Sequence, residues 1–303
     1  MNSTTYIQLL TGNTAAVKSR LGVFAELAKV RITLFVALST SAGYILQKGT
    51  IDLYMLIASL GVFLLAAGSS AINHIQEKEL DRHMPRTKNR PLPSGNITVK
   101  TAWIFASLLI SSGGLLLWLV FNLSAFILGI VSLFWYNVIY TPMKMKNVMA
   151  VIPGSLIGAL PPIIGWVCAG GNLFEFRILS LALFFFIWQI PHFWLLLMIY
   201  SDQYEKAGYP VLTKLFSREQ LSRITFSWIV ALVFSATIIP LNMSGKSHLS
   251  AVFMSLGIIL VLFSIKILIN RETEKKILRK TFAMINLFVM LVTIILSVDK
   301  LLF

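Results

Sequence analysis

Cysteine is nearly absent: Cys168 stands alone among 303 residues, which excludes an internal disulfide and a thiolate metal cluster and reads as an inert thiol in an apolar stretch. Charge is scarce too, at 13% of residues, and acids are the scarcer sign, 12 Asp and Glu against 26 Lys and Arg. A soluble domain carries more polar surface than that. With 57% hydrophobic residues and a mean hydropathy of +0.80, the chain reads as an integral membrane protein. Its +14 net charge marks topology first, and attraction to anionic lipid or an anionic substrate second; nucleic acid is not needed to explain it.

Stretches free of Asp, Glu, Lys and Arg run over 32 to 47, 53 to 76, 101 to 143, 147 to 174, 178 to 201, 224 to 245, 247 to 265 and 281 to 298. One helix crosses the hydrocarbon in about 20 residues, so 101 to 143 must be two spans hinged near Asn122, making nine. All but Lys48, Arg177, Lys246 and Lys300 of the 26 cations fall in alternate connections, which predicts a cytoplasmic N-terminus and an outer C-terminus. The segment before Glu26 is basic, with Lys18 and Arg20, but has no apolar core with a cleavage pattern. The expectation is no removable secretory signal and a bacterial inner membrane. The fold expected is therefore all-α and polytopic, nine transmembrane helices surrounding a central cavity, as one domain over 1 to 303.

Half of the acids occupy two places on the same expected side, the loops 73 to 98 and 200 to 222. In the first, Asn73, Glu77 and Asp81 recur every four residues, so a persisting helix stacks them on one face. Oxygen donors in that arrangement suit Mg²⁺; a solvated helix extension is the competing reading. Arg82, Arg86, Lys88 and Arg90 follow, before Pro91, Pro93 and Gly95 end regular helix. Acids to hold a metal, then fixed cations, describe a diphosphate site. A positive-inside loop explains the cations but not the acids.

The second loop repeats the logic with Asp202, Glu205 and Lys206 before Gly208 and Pro210. Inside the span leading to it, His192 is flanked by Trp188, Gln189, Pro191 and Phe193, and an ionisable residue at membrane depth is a functional candidate. His74 and His83 are expected to be solvated, and Trp135, Tyr136 and Tyr140 to form an interfacial aromatic belt. Pro161 and Pro162 predict a kinked or interrupted helix, Lys29 and Arg31 an interfacial anchor or a contact to an anionic ligand, and the 266 to 280 loop a topology determinant. An isoprenyl diphosphate suits two acidic loops at the mouth of an apolar bundle, with aromatic faces to stabilise the allylic cation. Composition does not identify the acceptor.

The run N-x-x-x-E-x-x-x-D-R-x-M-x-R-T-K-N-R-P at 73 to 91 resembles the first acidic motif of the UbiA superfamily of membrane prenyltransferases. RTKNRP, YTPMK at 140 to 144, GALPPIIGW at 158 to 166, WQIPHF at 188 to 193 and DQYEKAGYPVL at 202 to 212 narrow the similarity to its protoheme IX farnesyltransferase branch, the haem O synthases. The resemblance implies Mg²⁺-dependent transfer of farnesyl from farnesyl diphosphate to a vinyl group of haem B, with water captured to give haem O. It implies that Asn73, Glu77, Asp81 and Asp202 hold Mg²⁺ and count with His192 as catalytic. Arg82, Arg86, Lys88, Arg90 and Lys206 would meet diphosphate or haem propionates, and Lys29, Arg31, Asn89, Tyr140, Lys144 and Trp188 complete the substrate-binding set. His192 would face the haem, as an iron ligand or as a polar group near the reacting vinyl. A haem A synthase or a haem-copper oxidase assembly is the expected partner. Glu77 and Glu79 depart from the family's usual aspartates, which leaves the metal geometry and any role for Glu79 open. Two other readings stand beside this one: a related enzyme prenylating a quinone precursor or chlorin, and a transporter of an anionic amphiphile. Mg²⁺-dependent binding of an isoprenyl diphosphate separates the transporter from both enzymes.

Overall fold

A computed structural model describes residues 19–241, 247–269 and 275–303. Lys18, Lys246, Arg271, Glu272 and Glu274 lie outside the described residues. Among the described residues nine helices are long and apolar enough to cross a membrane, the expected number.

Helix α1 (Arg20–Leu27) precedes the first span, α2 (Val30–Lys48). The second span α3 (Leu53–Gln76) is followed by the short α4 (Lys78–His83). The spans α5 (Val99–Val120) and α6 (Leu123–Phe134) meet at Asn122, whose side chain accepts from the Ala125 amide at 2.8 Å and so caps α6. That cap is why the long uncharged stretch divides there. Beyond Phe134 the span continues as a π-helical turn, Trp135–Tyr140, and a last α turn, Thr141–Lys144. Helices α7 (Leu156–Cys168), α8 (Phe176–Lys206), α9 (Arg218–Leu241), α10 (Ser247–Ser264) and α11 (Lys275–Leu302) complete the bundle. The last helix, α11, packs on both α2 and α8 and so closes the ring of spans.

Lipid tails are as apolar as leucine, so close backbone approach matters more here than in water. The clearest case joins α2 to α7. A Cβ on Gly43 would run into the carbonyl oxygen of Pro162, and one on Gly165 into that of Thr40. Pro161 and Pro162 lie inside a continuous helix, and the interruption falls earlier, at Ser155. The expected break is thus displaced by about two turns, while the prolines sit at the helix contact. Alanine at an open helical glycine gains about 0.5–1 kcal/mol. At Gly43 or Gly165 overpacking reverses that sign, and Gly43→Ala and Gly165→Ala should each cost about 1–3 kcal/mol. Thermal unfolding in detergent checks this; a raised Tm in both variants would refute the backbone contact.

Candidate active site at the α3–α4 junction

The stack expected from the four-residue spacing forms. Helix α3 ends at Gln76, yet the Glu77 amide donates to the Asn73 carbonyl at 3.0 Å and the Asp81 amide to the Glu77 carbonyl at 2.8 Å. The helical phase therefore carries through the junction, and Asn73, Glu77 and Asp81 share a face, 0%, 4% and 2% exposed.

Carboxylates that buried demand partners. Each candidate donor has its own cation: Lys144 pairs with Glu77, Arg90 Nη1 forks onto Asp81 at 2.9 and 2.7 Å, and Lys29 Nζ donates to Asn73 Oδ1 at 2.7 Å. Burial pushes the Glu77 carboxyl up, but Lys144 and Lys29 more than offset it and hold the group below its ordinary value. At Asp81 burial outweighs Arg90, and the carboxyl sits above its ordinary range. Burial, reinforced by Arg90 and Lys144 against the pull of Glu77, brings the Lys29 ammonium down to about 7. Lys29 is the one non-glycine residue with positive φ among the described residues, at +46°. Such a conformation costs about 1–2 kcal/mol. It turns the chain between α1 and α2, and Ser70 Oγ ties the joint to α3 by donating to the Leu27 carbonyl at 2.8 Å.

The π-helical turn positions the other wall. Asn137 is buried, receives Ser69 Oγ on its Oδ1 at 2.6 Å, and donates through Nδ2 to the Ser69 carbonyl at 3.0 Å. Gln76 Nε2 donates to the Asn137 carbonyl at 2.8 Å. The wider turn sets Thr141 within 3.3 Å of Asn73 Nδ2 and Lys144 Nζ 5.5 Å from the centre of the Tyr140 ring. The belt expectation is thereby corrected at Tyr140, which is buried and packs 6.4 Å from Phe193, ring to ring, while Trp135 and Tyr136 are half-buried. Phe193 adjoins His192, so aromatic rings lead from Lys144 toward it.

Asp202 is placed differently from the expectation. It is exposed and pairs with Lys275 Nζ at 3.0 Å, in a small open pocket shared with Ser201, Thr213 and Arg218. Among the described residues no three His, Cys, Asp or Glu side chains form a metal cluster. The four-residue ligand set is therefore not brought together, because Asp202 has a local cation of its own. Lys275, from the stretch expected to determine topology, thus also answers an acid of the second loop.

Among the expected binding residues, Arg86 stacks on Tyr200 at 4.9 Å and reaches Tyr204 Oη at 3.4 Å, joining the two loops. Arg82 turns outward to Glu79 at 2.8 Å, which takes Glu79 away from the stack. Arg31, Lys88, Asn89 and Lys206 are exposed. His83 is exposed as expected, but His74 is not: it is 1% exposed, and neither ring nitrogen has a hydrogen-bond partner among the described residues. Its helix continues to Gln76, which draws it into the packing instead of the loop. Trp188 Nε1 and His192 Nδ1 both reach Asn286 Oδ1, at 3.1 and 2.8 Å. Asn286 and Asn137 were outside the expected set, although each is an amide within an apolar stretch and so could have been singled out. Asn73, Glu77 and Asp81 offer hard oxygen donors on one face, each now holding a Lys or Arg nitrogen, and that donor set suits Mg²⁺.

The UbiA prenyltransferase family profile matches residues 36–291. The chain is 38% identical over 214 residues to the protoheme IX farnesyltransferase of Geobacter sulfurreducens, covering 71% of this chain and 79% of that protein. Against the protoheme IX farnesyltransferase of Christiangramia forsetii it is 33% identical over 288 residues, covering 93% and 94%. Among solved structures, a digeranylgeranylglyceryl phosphate synthase superposes with a TM-score of 0.76 at 20% identity, over 93% of this chain and 99% of that one. A UbiA homologue from Archaeoglobus fulgidus bound to GPP and Mg²⁺ superposes with a TM-score of 0.66 at 15% identity, over 93% and 100%. At those identities the solved structures establish the fold, and the sequence relatives establish the lineage. The chain belongs to the UbiA prenyltransferase family, is similar over most of its length to protoheme IX farnesyltransferases, and is a multi-pass membrane prenyltransferase.

Proposed function

We propose that this prenyltransferase moves the farnesyl group of farnesyl diphosphate onto a vinyl group of haem B, adds water, and releases haem O and diphosphate. The observation that carries the reading is the buried oxygen stack of Asn73, Glu77 and Asp81, ringed by Lys29, Arg90 and Lys144 at the end of an apolar bundle. The names of the curated relatives supply the farnesyl donor and the haem acceptor.

Asn73, Glu77 and Asp81 would hold Mg²⁺, with Asp202 joining only after leaving Lys275. Bound there, the ion would neutralise charge developing on the leaving diphosphate. Lys29, Lys144 and Arg90, released from the oxygen stack, donate to phosphate oxygens. The allylic C–O bond breaks with its electron pair on the diphosphate, and the farnesyl carbon bonds to the terminal vinyl carbon. Water adds to the inner vinyl carbon and loses a proton, leaving the hydroxyl. The rings of Tyr140, Phe193 and Trp188 face the cationic intermediates and exclude other water. His192 lies beyond them, on the haem side. The domain is the whole chain, 1 to 303, with the loops 73 to 98 and 200 to 222 closing the site. The bacterial inner membrane, with the loops and the N-terminus cytoplasmic and the C-terminus outside, is the location this reading carries. A haem A synthase or haem-copper oxidase assembly is the consumer of the product.

Purified protein given haem B, farnesyl diphosphate and Mg²⁺ should yield haem O by chromatography and mass spectrometry. EDTA should abolish the product, and Asp81→Asn should lower turnover on the order of 100-fold or more. Prenylation of a quinone precursor with no haem product would move the acceptor and sink this reading.

The ion pairs make a second expectation. Lys144→Met strands the buried Glu77 carboxylate, at a cost of about 3–5 kcal/mol. Mg²⁺ should then raise the Tm of Lys144→Met more than that of the unmutated protein, since the metal fills the place of the lost ammonium. Equal Mg²⁺ shifts in the two proteins would place the metal elsewhere.

A further inference from the structure

Asn286 lies in α11, and its side chain makes three contacts whose chemistry interlocks. Its Nδ2 donates to the Phe282 carbonyl, one turn back, at 2.6 Å. Its Oδ1 lies 3.1 Å from Trp188 Nε1, a nitrogen that can only donate. Exchanging the amide oxygen and nitrogen would set two acceptors against each other at the first contact and two donors at the second. The orientation is therefore fixed from both ends. His192 Nδ1 lies 2.8 Å from the same Oδ1, which can only accept, so Nδ1 must be the ring nitrogen that carries hydrogen.

The consequence falls on the other nitrogen. With Nδ1 protonated and the ring neutral, Nε2 holds a lone pair that the contact to Asn286 leaves unused. The ring cannot readily turn to hide it, because Trp188, Phe193 and Phe282 enclose it with centroid separations of 5.0, 5.3 and 4.7 Å. No other described histidine is built this way: His83 hydrogen-bonds the Glu79 carbonyl on an exposed turn, His248 is exposed, and His74 has no partner on either nitrogen.

We infer that Asn286 is a positioning residue which, with Trp188, locks His192 as the Nδ1–H tautomer and presents the Nε2 lone pair as an axial ligand to the iron of a porphyrin substrate. An imidazole whose Nδ1–H is held by a carbonyl-type acceptor is a more basic and better oriented ligand than a free one. The tautomer stands on the geometry alone; the iron rests on the haem-farnesylating reading above. Trp188 thereby acts through its indole N–H, holding the amide rather than only lining the substrate.

Two measurements test this. In haem-free protein labelled with ¹⁵N-histidine, with the His192 resonances assigned by their loss in His192→Gln, Nδ1 should show as the protonated nitrogen and Nε2 as the bare one. Asn286→Asp, protonated in this apolar setting so that its hydroxyl donates to the Phe282 carbonyl while its other oxygen still accepts, should preserve that pattern, and Asn286→Leu should mix or invert it. In haem B titrations the unmutated protein and Asn286→Asp should give the absorption and EPR spectra of an imidazole-ligated ferric haem. His192→Gln should abolish that signature, and Asn286→Leu should weaken haem affinity roughly 10-fold or more. A protonated Nε2 in the unmutated protein, or equal impairment of Asn286→Asp and Asn286→Leu, would overturn the positioning role. A haem spectrum indifferent to His192→Gln would overturn the iron contact while the NMR still decides the tautomer. Failure of the activity reading is separate again, and shows as absence of haem O in the product assay.

Discussion

Two carboxylates taken out of water set the terms for this molecule. Glu77 and Asp81 are almost fully buried at the end of α3, and neither is sustainable there without a cation of its own. Lys144 and Arg90 supply that charge, and Lys29 does the same for the neighbouring amide. Meeting this requirement explains features that otherwise look unrelated. Lys29 accepts a left-handed backbone, the fourth span ends in a π turn, and the loop from Met84 to Gly95 folds back to bring Arg90 over the stack. On the proposed reading, the same three nitrogens occupy the sites on oxygen that a divalent cation would take. Metal and diphosphate would on that reading enter by an exchange of partners, with each lysine or arginine passing from a side-chain oxygen to a phosphate and never left unpaired in the interior.

Legibility in the sequence followed the range of the interaction. The eight uncharged runs that make nine spans, the hinge at Asn122 and the spacing of Asn73, Glu77 and Asp81 are local patterns, and all three are present in the fold. Two of the three cations that answer that stack, Lys29 and Lys144, are not local: Lys29 lies 44 positions from Asn73, and nothing in the spacing of either residue indicates the other. Asp202 shows the opposite failure. Its motif resembles the first acidic loop, so the two were expected to share a metal, but Lys275 lies close enough to satisfy it separately. Likewise His74 reads as a loop residue until the length of α3 is known, and Asn286 acquires meaning only when α11 folds back onto α8, 94 positions from His192.

Rigidity is distributed to match. Helices α2 and α7 touch backbone to backbone at Gly43 and Gly165, which leaves little room for one to slide along the other. The exposed ends of the two acidic loops are joined instead by Arg86 stacking on Tyr200 and Tyr204, a contact between flexible side chains.

The π turn at Trp135–Tyr140 acts as an angular offset in the fourth span. A π turn accommodates one more residue than the α turn it replaces, so everything after it is rotated by roughly 100° relative to an uninterrupted helix. Lys144 faces Glu77 only because of that rotation. Shortening the span by one residue between 135 and 140 would leave its apolar character and length nearly intact while aiming the ammonium away from the carboxylate. The electrostatics of the site are in this sense encoded by a residue count in the helix wall, as much as by the charged residues themselves.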